Sequence, residues 1–206
     1  MVRWRDGRIV LDDSPGKGGM HPPQLPYQVT VREPDHPIVK GLPPVWMHAK
    51  DELYGKLRGP AKNMTVLATA YADPKDKGTG EHEPALFTIA YGKGRIFHTI
   101  LGHGPEQLAS VDAVITLQRG AEWAATGQVA EKPLPADFPT ADAASIRRSL
   151  IADAPAANST EPASAAARPA RRRPREGQPA VRAAEPASEW IELLGARGFA
   201  AWRAPL

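Results

Sequence analysis

Ala85-Leu86-Phe87-Thr88-Ile89-Ala90-Tyr91-Gly92-Lys93-Gly94-Arg95-Ile96-Phe97-His98 reads as two β-rich runs folded back on one another. The first run is apolar and rich in β-formers, Gly92-Lys93-Gly94 supplies a tight turn, and Arg95–His98 returns beside it. Gly102 and Gly104 then flank His103, and a long amphipathic segment follows from about Ser110. In an α/β sheet, the crevice where a strand gives way to a helix is where ligands and catalytic groups collect. This reading places His98 and His103 at such a crevice.

Working outward, Tyr27-Gln28-Val29-Thr30-Val31-Arg32 alternates polar and apolar and reads as a strand, and Val66–Tyr71 reads as a buried one. Asp35-His36-Pro37-Ile38 and Gly41-Leu42-Pro43-Pro44 form a non-helical loop between them. The helix from about Ser110 to Thr126 is expected to place Val114, Leu117, Ala121 and Ala124 on one buried stripe. Ser110 suits its N-cap, Asp112 the positive end of its dipole, and Gly127 its C′ position.

Length allows one ordinary domain with tails, or two small ones, and 42% hydrophobic with 24% charged residues fits a soluble globular protein. Three zones are expected: a globular part over 1–128, a disordered linker rich in Pro, Ala and Arg over 129–186, and the start of a second domain over 187–206. Arg168, Arg171, Arg172, Arg173 and Arg175 fall in the linker, as a solvated stretch or a basic interaction tail. A net charge of +3 carries no global nucleic-acid footprint. No apolar run approaches the ~18 residues of a membrane span. The first residues contain no signal-peptide core, so the chain as it stands reads as cytoplasmic, although its native compartment stays open. With no cysteine, thiol nucleophiles, disulfides and cysteine-ligated metals are excluded.

Four groups of residues have types suited to chemistry. His98 is read as a general acid/base or ligand contact, against a strand-end histidine satisfied by backbone. His103, between glycines and ahead of a helix, suits an anion or a developing oxyanion, against a capping loop residue. His48, Asp51, Glu52 and Tyr54 mix imidazole, carboxylate and phenol within seven residues. If Asp51 starts a helical turn, His48 and Glu52 share a face at i and i+4, whereas the plain alternative is a short capped helix over Leu53 and Leu57. Glu81-His82-Glu83-Pro84 leads into a strand, where flanking carboxylates should hold the His82 charge longer. Nitrogen and oxygen ligands from these groups allow Zn²⁺, without the spacing of a known motif. Arg95 and Arg119 are expected in structural ion pairs, and Trp46 and Trp123 in the core.

The chain also resembles a known family. Asp12-Asp13-Ser14-Pro15-Gly16, His36-Pro37-Ile38 with Gly41-Leu42-Pro43, and Trp46-Met47-His48-Ala49-Lys50-Asp51-Glu52-Leu53-Tyr54 are similar to the trehalose-utilisation (ThuA-like) domain. So are Leu57–Ala61, Val66–Tyr71, His82-Glu83-Pro84, Tyr91–His98 through Leu101-Gly102-His103, and Gln118–Gly127. The resemblance runs over most of 1–127 and implies the C-terminal part of a class I glutamine amidotransferase-like, flavodoxin-like α/β sheet. In that fold a late-strand histidine partners a nucleophilic cysteine, and this chain has none. After His21 the family often has a second histidine where this chain reads Leu25, so that pair is not carried over. Trp190-Ile191-Glu192-Leu193-Leu194 through Gly198-Phe199-Ala200-Ala201-Trp202-Arg203 is similar to the opening of a 3-keto-disaccharide hydrolase domain.

Together these resemblances imply acid/base chemistry on trehalose-related disaccharides or keto-glycosides, a hydrolysis or an isomerisation, with His98, His103, Glu52 and His48 catalytic. Asp51, Tyr54, Glu81, His82 and Glu83 would contact the sugar. The alternatives are a non-catalytic carbohydrate-binding module and an inactive fragment. A homo-oligomer or a missing domain portion would cover the exposed sheet edge, and His48, Glu52, His82, His98 and His103 are expected at one pocket.

Overall fold

Runs with one apolar face and a neighbour within reach of a short turn pair most simply as antiparallel strands, and they do so here. The computed structural model describes residues 2–13, 15–58 and 62–152. Strands β1 (Val2–Arg5) and β2 (Arg8–Leu11) form a hairpin, followed by β3 (Leu25–Val31), β4 (Val45–Asp51), β5 (Met64–Tyr71), β6 (His82–Tyr91) and β7 (Gly94–Thr99). Their order in the sheet is β2-β1-β6-β5-β3-β4, with β7 also on β6. One edge of β6 bonds β5, and the other serves β1 near His82 and β7 over Leu86–Tyr91.

The glycine-turn hairpin of β6 and β7 stands as read, with Tyr91 opposite Gly94. The β1–β2 hairpin was not foreseen, although Asp6-Gly7 between alternating runs is a strong hairpin signal. Asp6 and Gly7 both take positive φ, 49° and 74°, as that turn requires. Every strand pair among the described residues is antiparallel. The α/β composition is therefore present, but the parallel strands of a flavodoxin-like sheet are not among the described residues.

Three helices follow the sheet: α1 (Pro105–Leu108), α2 (Val111–Thr126) and α3 (Ser149–Ala152). Ser110 is the N-cap of α2, but its hydroxyl bonds back to the Gln107 carbonyl rather than into the helix. Gly127 ends the helix with a left-handed φ of 79°, its N–H donating to Trp123 O. The buried stripe differs from the expected one: Asp112, Ala113, Thr116 and Gly120 face inward, while Leu117 is 46% exposed. The small residues lie inward because α2 packs close on β7, with the Phe97 ring filling the space where a Gly120 side chain would stand.

Trp46 is fully buried in the core with Val29, Leu67, Leu86 and Val111, and Trp123 packs against that cluster. Among the described residues, Arg95 and Arg119 form no ion pair. Arg95 donates to Trp123 O and Ala125 O at the end of α2, and Arg119 to Ile38 O and Lys40 O. Residues 129–152, expected to open the linker, pack back on the sheet instead. Phe138 is buried edge-on against Trp46 at 5.7 Å, Met47 N–H donates to Thr140 O, and Val111 N–H to Ser145 O. Phe138, with Val129 and Leu134 packed against the core and these backbone bonds, holds a segment that is otherwise polar and proline-rich. The chain divides into units over Met1–Ala157 and Asn158–Leu206, and all described residues belong to the first. The remaining linker and the 187–206 segment lie outside the described residues. No helix among the described residues is long and apolar enough to cross a membrane.

Candidate functional site

The site begins with an irregularity in β4. Tyr27 lies opposite His48 and Leu25 opposite Asp51, so three residues of β4 advance against two of β3. In a regular strand, residues three apart point to opposite faces; the extra residue turns His48 and Asp51 to the same buried side. The helical turn expected at Asp51 does not form, because this stretch is strand up to Asp51 and irregular beyond it.

His48 has no exposed surface and lies between two carboxylates. Its Nδ1 is 2.7 Å from Asp112 Oδ2 and its Nε2 3.0 Å from Asp51 Oδ2. Burial opposes a charge on the ring, but the hydrogen bonds and charges of Asp112 and Asp51 outweigh it and raise its pKa to about 9. His48 is therefore a buried imidazolium at neutral pH, with both ring nitrogens committed as donors. Trp46 Nε1 also donates to Asp112 Oδ2, at 3.0 Å. Asp51 accepts from the backbone N–H groups of Glu52 (2.8 Å), Gly102 (2.8 Å) and His103 (3.3 Å). Burial would raise the Asp51 pKa, and its bonds from His48, Gly102 and Glu52 lower it overall. The carboxylate thus pins the loop after β7 against the end of β4.

Above this buried layer lies a more accessible one. Tyr54 OH donates to Glu52 Oε2 at 2.6 Å. His103 Nδ1 lies 3.1 Å from Glu52 Oε2 and 3.1 Å from the Tyr54 oxygen. Since the phenol proton goes to Glu52, His103 Nδ1–H is the donor to both oxygens. The Tyr54 bond, ahead of burial, holds the Glu52 pKa below its ordinary value and raises that of Tyr54. The His103 side chain is 46% exposed, and with Nδ1 as donor its neutral ring carries the lone pair on Nε2. His21 stands beside them, edge-on to Tyr54 at 5.6 Å and 3.7 Å from Glu52 Oε2, and Gln24 donates to Glu52 Oε1 at 3.4 Å.

The expected single pocket holds only part of its members. The structure brings together His48, Asp51, Glu52, Tyr54 and His103, and leaves the others elsewhere. His98 is exposed on β7, opposite in direction to Phe97, and stacks on Phe87 at 4.4 Å. His82 accepts from Arg32 and lies against Tyr71. Burial and the Arg32 charge lower its pKa despite Glu81, the reverse of the retention expected from flanking carboxylates. Glu81 is bound to Arg5, and Glu83 is buried with Arg3, Thr79 and the Lys56 N–H. The strand alternation that separates Phe97 from His98 also separates these faces. Among the described residues no three His, Asp or Glu side chains are placed to hold a metal ion.

Residues 15–124 match the trehalose utilisation (ThuA) family. The chain belongs to that family. A crystal structure of a ThuA-like protein from Parabacteroides merdae is similar at 47% identity with a TM-score of 0.68, over 72% of this chain and 55% of that one. The present chain thus spans little more than half the length of that relative. One from Bacteroides uniformis is similar at 22% identity with a TM-score of 0.41, over 55% of this chain and 49% of that one. No curated protein matches.

The ThuA match takes in every member of the cluster, from His21 to Asp112. Three of these were missed as site residues. Asp112 read only as a charge for the dipole of α2, yet its distant partner in sequence is His48. His21 and Gln24 reach Glu52 because the Met20 and Gly55 backbones pair in an isolated bridge. Gly55 is needed there, as a side chain would meet Glu83 Oε1 at 2.8 Å. The one available signal was His21 itself, set between Gly18-Gly19 and Pro22-Pro23.

Proposed function

We propose that this ThuA domain performs proton transfer on a sugar, with His103 as the acid/base and Glu52 as the carboxylate that orients it. The supporting observation is the His103–Glu52–Tyr54 contact: Nδ1–H is held at 3.1 Å by two oxygens, which directs Nε2 outward. A base held by one ring nitrogen and presented by the other is the arrangement general acid/base catalysis needs. Glu52, kept ionised by its bond from Tyr54, stabilises the imidazolium formed when Nε2 takes a proton. Tyr54 OH and His21 lie beside the same carboxylate and would contact substrate hydroxyls. Asp51 and His48 are positioning residues, because all their polar atoms are engaged inside the domain.

The substrate class rests on the family, which is described by trehalose utilisation. A trehalose-related disaccharide in its keto form fits, with the proton taken from the carbon beside the carbonyl and returned to it or to the leaving oxygen. In this reading the chain is the C-terminal part of an amidotransferase-like domain, 187–206 begins a 3-keto-disaccharide hydrolase-like domain, and a second copy or further chain covers the sheet edge. His98 and Glu81–Glu83 take no part in the proton transfer.

The test is deuterium uptake from D₂O into 3-keto-trehalose, followed by NMR alongside equilibrium binding of the same sugar. Wild-type chain should exchange the proton next to the carbonyl. Glu52→Gln should slow this by about 10²-fold or more while binding stays close to wild type. Sugar binding without any exchange would replace this reading with that of a carbohydrate-binding module.

A further inference from the structure

A second cleft opens beside the β1–β2 hairpin, with a volume of about 340 Å³ and Trp4, Arg5, Arg32, Glu81 and His82 in its lining. None of its lining residues belongs to the His103 cluster. Its charges are unevenly answered. Arg5 is bound by Glu81, with Nε 2.9 Å from Oε2, and Asp6 at the exposed hairpin turn acts on Arg5 as well. Arg32 has no such partner: among the described residues no carboxylate forms an ion pair with it. It is held by neutral groups instead, Nε donating to Thr69 Oγ1 at 2.9 Å and Nη2 to His82 Nδ1 at 3.2 Å. Its guanidinium carbon lies 5.7 Å from the centre of the Trp4 ring. Hydroxyl, imidazole and indole together hold the fork in one orientation without neutralising it.

The remaining hydrogen-bonding capacity of this group is all of one kind. Nη1 of Arg32 makes no hydrogen bond among the described residues. His82, accepting at Nδ1, carries its proton on Nε2 and makes no hydrogen bond through it. Arg32 and His82 thus line one cleft of ligand size, and each keeps an unanswered donor. Such a set matches an oxyanion, which accepts in the plane of the fork. We propose that this cleft binds a small molecule through a carboxylate or phosphate group, held by Arg32 and His82.

The test titrates the purified full chain with sodium phosphate and with glucuronate, observing the His82 ring by NMR. Saturable shifts with a dissociation constant of about 1 mM or tighter are expected for at least one probe. The groups facing His82 are Arg32 just after β3, Thr69 and Tyr71 from β5, Trp4 from β1, and Glu81 beside it in the chain. A bound anion would offset the Arg32 charge, so the His82 titration midpoint should rise with ligand. Arg32→Gln should weaken binding at least about tenfold, and Arg32→Lys, which keeps charge but loses the fork, should also weaken it. Glu52→Gln should leave it unchanged. Should Arg32→Gln not fold, Arg32→Lys decides alone. Response to phosphate only, or to glucuronate only, supports the site and assigns its ligand. The proposal is overturned by the absence of saturable shifts with both probes. The same shifts in sodium chloride of equal ionic strength, or wild-type affinity in Arg32→Lys, would also overturn it.

Discussion

His48 places both ring nitrogens against carboxylates and exposes no surface, which ties its charge to the stability of the fold. Its folded pKa of about 9 lies above the ordinary 6.5, so its contribution is fully present below pH 6.5 and is lost as pH rises through about 9. The displacement corresponds to about 3 kcal/mol, which urea unfolding between pH 6 and about pH 10 should register as a falling midpoint. Asp51 adds the opposite limb: its lowered pKa stabilises the fold above its ordinary 3.8, and the gain is lost as pH falls through the folded value. His48→Ala should cost about 3–5 kcal/mol at pH 7, because it leaves two buried carboxylates without their shared cation. An unfolding midpoint unchanged by that substitution would show the triad to be energetically idle. At this scale the sequence displayed His48, Asp51, Glu52, Tyr54 and His103 as residues of reactive type, and the structure brings them together. It hid the division of labour, since Asp112 lies far along the chain and the burial of His48 follows from a strand pairing.

At the scale of elements, the hairpin of β6 and β7 was legible from its glycine turn, and so was α2 with both of its ends. The irregular pairing in β4 was not, because the three-residue spacing of His48 and Asp51 mimics a helical face and only the register against β3 reveals the bulge. The buried face of α2 was misread for a related reason: Leu117 and Val114 looked like a core stripe, yet the close approach of β7 admits only small side chains at Ala113, Thr116 and Gly120. Gly120→Ala tests this contact. Helix propensity alone favours alanine by about 1 kcal/mol, but its side chain would meet the Phe97 ring at 1.9 Å. A net loss of about 1–2 kcal/mol is expected by chemical denaturation. In a Phe97→Ala background the same change should become stabilising, and a gain in the wild-type background would contradict the packing.

At the scale of the molecule, composition misplaced the boundary of the folded unit, because Phe138 and the bonds from Met47 and Val111 anchor a segment that is otherwise polar and proline-rich. A chain ending at residue 152 should keep the thermal midpoint of the domain. One ending at 128 should lose at least the burial of the Phe138 side chain, about 1.5–3 kcal/mol, together with the cover over Trp46. Equal midpoints would show that residues 129–152 add nothing. Ile96 on β7, Leu108 on α1 and Leu117 on α2 are exposed at 44%, 50% and 46%. The two histidines that first marked the crevice end on separate faces of the molecule, and this separation permits the most direct test of the proposed proton-transfer site. Deuterium uptake into 3-keto-trehalose should be compared for His103→Ala and His98→Ala. Loss of exchange by about 10²-fold in His103→Ala, with a wild-type rate in His98→Ala, is the predicted result. Exchange that survives in His103→Ala and fails in His98→Ala would contradict it.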